Sequence, residues 1–195
     1  SRRNHPAPGS ARPRRGRTRT PSFVCEVPLR VTPADARTLN TRLETARPVD
    51  NACLNEALRR VRLLRERRAD QAARRLPKGE ERTAAFRVAR QSVAFSEAAL
   101  QRDAVRLRQR AFPAHLDVHV VQTLASRAFA AANGWLIGKN GRPRFKGARQ
   151  LDTVEGKSNH AGIRWRSAFV QSKGCVSKPA STPGTRWSPT RLVVR

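Results

Sequence analysis

The sequence predicts an α+β protein, with a block of helices preceded by one strand and followed by several short ones. Three observations carry this expectation. Phe23 to Val31 alternate apolar and other side chains with a period of two; residues 32–134 repeat apolar side chains every three or four positions; beyond Trp135, short apolar pieces are separated by glycine-containing turns.

Residues 1–22 carry seven arginines and no acid among scattered Pro, Gly and Ser, a composition that cannot bury enough apolar surface to offset chain entropy. They are expected to form a disordered basic arm, and an acid-free arginine-rich start is also the composition of a transit peptide. In "FVCEVPLRV", Phe23, Cys25, Val27, Leu29 and Val31 fall on one face of a strand, and Pro28 places that strand at an edge. Thr32, Pro33 and Asp35 then supply an N-cap, a first-turn proline and an acid at the positive end of a helix dipole.

Pro48 predicts a break, after which a second helix is expected from Val49 to Leu76 with Val49, Cys53, Ala57, Val61 and Leu64 as its apolar stripe. Its opposite face reads as an arginine row of Arg59, Arg60, Arg62, Arg65, Arg67 and Arg68, with only Glu66 and Asp70 in compensation. Pro77 and Gly79 mark the next break. One helical pattern runs through Phe86, Val93, Leu100 and Leu107 to before Pro113, and another from Leu116 to Asn133 closes at Gly134, giving four helices. Strands are expected at Phe145 to Val154 and Gly162 to Val170, and an irregular Ser/Thr/Pro-rich tail over residues 171–195.

A formal net charge of +27 on 195 residues with 38% hydrophobic content makes self-repulsion severe unless a polyanion screens it, so nucleic acid is the expected partner. Cys25, Cys53 and Cys175 are far apart with no C-x-x-C, which predicts neither a disulfide framework nor a four-thiolate zinc site and fits a reducing setting. No run approaches the roughly 20 apolar residues of a membrane span.

Chemistry-bearing motifs are sparse. His115 and His119 flank Asp117 one turn apart but lack the glutamate and third ligand of a metal hydrolase. Ser96 and Glu97 form no nucleophile elbow, and no phosphate-binding glycine motif occurs. Asp152 and Glu155 alone lie near a predicted strand, where charge balance for neighbouring arginines explains them as well as metal binding does. No catalytic centre and no cofactor are expected.

The segment "GKNGRPRFKG" is different. Its glycines let backbone amides approach phosphate, its basic residues neutralise it, and Phe145 or a neighbouring tryptophan can stack on an unpaired base. Lys139, Arg142, Arg144, Phe145, Lys146, Arg149, Lys157 and Arg164, with Arg59 and Arg62 of the helical block, form the expected nucleic-acid surface.

Three stretches resemble the N-terminal half of the transposon-encoded OrfB/TnpB proteins, RNA-guided nucleases related to compact type V CRISPR effectors: "FVCEVPLRVTPADARTLNTRL", "VDNACLNEAL" and "NGWLIGKNGRPRFKGARQLDTVEGKSNHAGIRW". The resemblance spans Phe23 to Arg166. It implies a small wedge-like β domain (residues 23–31 plus 143–170) interrupted by a helical recognition insert (residues 32–134). It also implies a bacterial, cytoplasmic, nucleoid-associated setting and binding of a guide-like RNA and of duplex DNA, without fixing an oligomeric state.

Asp50 stands where that family usually has a tyrosine; a carboxylate buried there without a partner is expected to loosen the helix. Nothing after Arg166 resembles the family's three-carboxylate nuclease domain or cysteine-pair zinc module. The chain is therefore expected to be a nucleic-acid-binding fragment. The alternatives are one part of an active endonuclease whose catalytic half lies elsewhere, or a decayed transposase reading frame.

Overall fold

Thr32 opens the first helix as its sequence dictates. Its hydroxyl accepts the Asp35 N–H at 3.1 Å and donates to the Asp35 carboxylate at 2.7 Å, with Pro33 at the first helical position. The computed structural model describes residues 29–157, 163–166, 169–172 and 175–179. The arm predicted for residues 1–22 and the strand residues before Leu29 lie outside them, as does residue 180 onward.

The described residues fold as α+β. Strand β1 (Leu29–Arg30) is followed by helices α1 (Pro33–Glu66), α2 (Arg68–Arg75), α3 (Glu80–Ser92), α4 (Glu97–Ala111) and α5 (Val118–Leu136). Strands β2 (Ile163–Arg166), β3 (Phe169–Ser172) and β4 (Cys175–Pro179) complete the order.

The expected break at Pro48 does not occur. Proline leaves the Glu44 carbonyl without its i+4 donor, at a cost of about 3 kcal/mol, yet α1 runs on for 34 residues. Pro48 itself is exposed while Ala46, Val49, Cys53, Leu54, Ala57, Val61 and Leu64 are buried. Each large apolar side chain on that face contributes about 1.5–3 kcal/mol on burial, so packing outweighs one missing hydrogen bond. The helix ends instead at Arg67, whose extended backbone (ψ 132°) separates α1 from α2.

Two further boundaries differ from expectation. The pattern through Phe86 and Leu107 is broken between α3 and α4, where Ala94 takes a positive φ of 52° and the Ser96 hydroxyl accepts the Ala99 N–H to cap α4. Helix α5 continues through Gly134, which is buried inside it, and stops two residues later. There Gly138 (φ 74°) is the left-handed residue. Its N–H donates to the Trp135 carbonyl at 3.2 Å and the Lys139 N–H to the Gly134 carbonyl at 2.9 Å, a Schellman closure. There are thus five described helices rather than four.

The sheet has the order β1-β4-β3-β2, antiparallel throughout, with Leu29 opposite Pro179, Ser172 opposite both Cys175 and Ile163, and Trp165 opposite Val170. The strand expected over 145–154 is irregular chain, and β4 lies within the residues expected to be an irregular tail. The helical block is therefore flanked in sequence by strands of one sheet, which does not close into a barrel among the described residues.

The core is built by α1, α4 and α5: Val61 and Leu64 pack in one cluster with Leu100, Val121, Leu124 and Ala128, and Phe95 meets Phe129 with ring centroids 5.1 Å apart. At its edge Arg60 is buried, not part of a solvated arginine face as its sequence suggests. It donates to Glu56 (2.7 Å), to the Ala94 carbonyl (2.8 Å) and to Asp103, joining α1, the α3–α4 turn and α4.

Replacing Arg60 with alanine removes all three contacts. Because Glu56 and Asp103 remain 27% and 38% exposed and can rehydrate, the loss is expected to be about 2 kcal/mol rather than the 3–5 of a fully buried pair. A urea unfolding midpoint checks it; an unchanged midpoint contradicts the role assigned to Arg60.

Candidate nucleic-acid interface

At 100° per residue, Asn51, Asn55, Leu58, Arg62 and Arg65 share one face of α1, beside its core face. Both ends of that face hold the glycine-rich basic loop. At one end the Asn51 amide donates to the Lys146 carbonyl at 2.9 Å while its oxygen accepts the Lys146 N–H at 2.8 Å, pairing both backbone groups of one loop residue. At the other, the Arg65 guanidinium lies 4.1 Å from the centre of the Trp135 ring, and Arg142 lies 5.9 Å from the same ring.

These contacts fix the path. From the end of α5 the chain turns at Gly138 and runs back along α1 from the level of Arg65 to that of Asn51, fourteen residues and about 21 Å of helix. The turn is tight because Gly134 has no side chain: a Cβ there would fall 2.6 Å from the Asn140 amide nitrogen. Pro143 then fixes one φ and biases Arg142 toward extended backbone.

Lys139, Arg142 and Arg144 are exposed along this path, and no acid occurs between Asp117 and Asp152. Arg62 is exposed on the same α1 face as Asn51 and Arg65. Phe145 is 51% exposed and Ile137 is 58% exposed.

Lys146 turns the other way. Its ammonium lies 3.5 Å from the Asp50 carboxylate, so the buried acid expected to loosen α1 has a partner and ties the loop down. Its polar character, with that of Asn51, interrupts the apolar stripe of α1; this was the one sequence signal for a docking point.

The remaining predicted residues lie elsewhere. Arg59 is held by Glu56 through two hydrogen bonds of 2.7 Å; those bonds and the adjacent Arg60 hold the Glu56 carboxyl below its usual range, and Glu56 raises Arg59. Arg149 occupies a left-handed position (φ 58°) in a turn closed by Gly147 and Gln150. Lys157 reaches Gln122 of α5 at 3.4 Å, and Arg164 sits on β2 opposite Gln171.

The chain just before Lys157 is tied to α5, with Arg127 donating to the Thr153 carbonyl and Thr123 to that of Glu155. Asp117, between the two histidines, caps α5 by accepting the His119 N–H at 2.7 Å. No group of acids, histidines and cysteines among the described residues has metal-binding geometry. No described helix is long and apolar enough to cross a membrane.

Against models of known families, curated proteins and solved structures, the chain finds no match.

Two outcomes follow from this geometry. Asn51→Ala should release the loop without unfolding the body: exchange of the Lys146 amide rises at least about fivefold, as expected for loss of about 1–3 kcal/mol of partly buried hydrogen bonding, while amides of Val121 to Ala128 are unaffected. Cys53 is the second. Burial, then Asp50 and Asp103, push its thiol up to about 12, so the thiolate fraction grows only as pH approaches that value. Iodoacetamide at pH 8 should leave the Cys53 peptide unmodified in the folded protein and alkylate it in urea; equal labelling in both contradicts the packing.

Proposed function

We propose that the chain is a nucleic-acid-binding fragment of OrfB/TnpB type that captures a guide-like RNA, with duplex DNA as a second ligand. The observation that carries this reading is the exposed, acid-free row of Lys139, Arg142 and Arg144, held against the arginine-bearing face of α1 by Asn51. A loop serving only to connect a helix to a strand needs no such charge, and one fixed at both ends presents it without a large ordering cost on binding.

On this reading the sheet is the wedge-like domain, the helices are the recognition insert, and the protein works in a bacterial cytoplasm, associated with the nucleoid. The mechanism is counterion release: each phosphate neutralised frees condensed cations, so affinity falls steeply with salt.

Titrating a single-stranded RNA against salt tests it. Arg142→Ala/Arg144→Ala should weaken binding about tenfold and flatten the slope by about 1.4, two contacts at about 0.7 each on a single strand. Arg106→Ala/Arg110→Ala, which removes equal charge from exposed positions of α4, should leave both within twofold. Equal losses in the two variants would mean diffuse stickiness, and an affinity indifferent to salt would sink the reading.

A further inference from the structure

The exposed large apolar side chains on the described residues are Val88, Ile137 and Phe145, and two of the three lie on the basic loop, on either side of Lys139, Arg142 and Arg144. Every other described aromatic side chain is engaged. Phe95 packs on Phe129, Phe112 lies against the core, Phe86 is beneath Arg82, and Trp135 is beneath Arg65 and Arg142. Among the described aromatic side chains, Phe145 alone turns more than half of its surface to water.

Its position is not loose. The next residue has both backbone groups held by Asn51 and its ammonium on Asp50, and Pro143 stiffens the chain two residues before. The ring is thus presented from a fixed point.

We infer that the ligand of this loop is a strand with unpaired bases, and that Phe145 is the platform on which one of them stacks. The inference rests on the nucleic-acid reading above and narrows it. Basic side chains alone attract any phosphate backbone, paired or not. In a duplex the base faces are stacked on one another and hidden, so an exposed ring gains nothing from an intact helix. An unpaired base offers a free face, and stacking tolerates any base identity. Arg142 and Arg144, on the same short extended segment, meet the phosphates either side of the stacked base.

Fluorescence anisotropy of the full chain at one fixed salt concentration tests this. The probes are unstructured polyuridine and polydeoxythymidine, with blunt RNA and DNA duplexes matched to them in phosphate number. The single strands should bind more tightly than the duplexes. Phe145→Ala should weaken single-strand binding at least about fivefold, the lower end for loss of one base–aromatic stack, and leave duplex binding within twofold. Phe145→Trp should retain the preference, and Phe145→Leu, apolar but without a π face, should lose it.

Because the ring is exposed, the thermal melt of each variant should match the parent, separating stacking from folding. Equal loss on single strands and duplexes, or no loss on single strands, overturns the inference. Binding that favours duplex overturns it while sparing the nucleic-acid reading; binding to none of the probes overturns both.

Discussion

One face of α1, buried from Ala46 to Leu64, holds the molecule together. Helices α4 and α5 pack on it, and the basic loop runs along the neighbouring face. Strand β1 leads directly into α1 and is hydrogen-bonded to β4. The helix must therefore be continuous. Were it broken at Pro48, Asn51 and Arg65 would still belong to one segment, but β1 would no longer be carried rigidly into the core by α1.

Charge is arranged around the same helix. In a chain with 41 basic and 14 acidic residues, several acids of the folded body are committed to particular basic partners. Glu56 and Asp103 meet Arg60, Asp70 meets Arg74, and Asp50 meets Lys146. Acids spent in this way cannot neutralise the outer arginines. What remains on the surface is a positive field that water and counterions must screen, concentrated where the loop carries three basic side chains and no acid.

Arginine does two unlike jobs here, and the rotation of the helix separates them. Arg60 and Arg62 are two positions apart, about 200° around the axis, so one enters the interior with three acceptors while the other points outward. Arg65, a further turn on, covers an indole face. Composition registers all three as the same residue.

By itself, the sequence determined the α+β class, the Thr32 cap, the apolar stripe of α1 and the basic loop, because each depends on spacing within a few residues. It misplaced the helix boundaries at Pro48, Ala94 and Gly134, since each depends on whether burial elsewhere outweighs a local preference. Only the tertiary structure decided that Asp50 is paired, that Asn51 clamps Lys146, and that Arg65 and Trp135 meet at the start of the loop. Those contacts link residues up to 96 positions apart, and no local pattern carries the information that two such segments will meet.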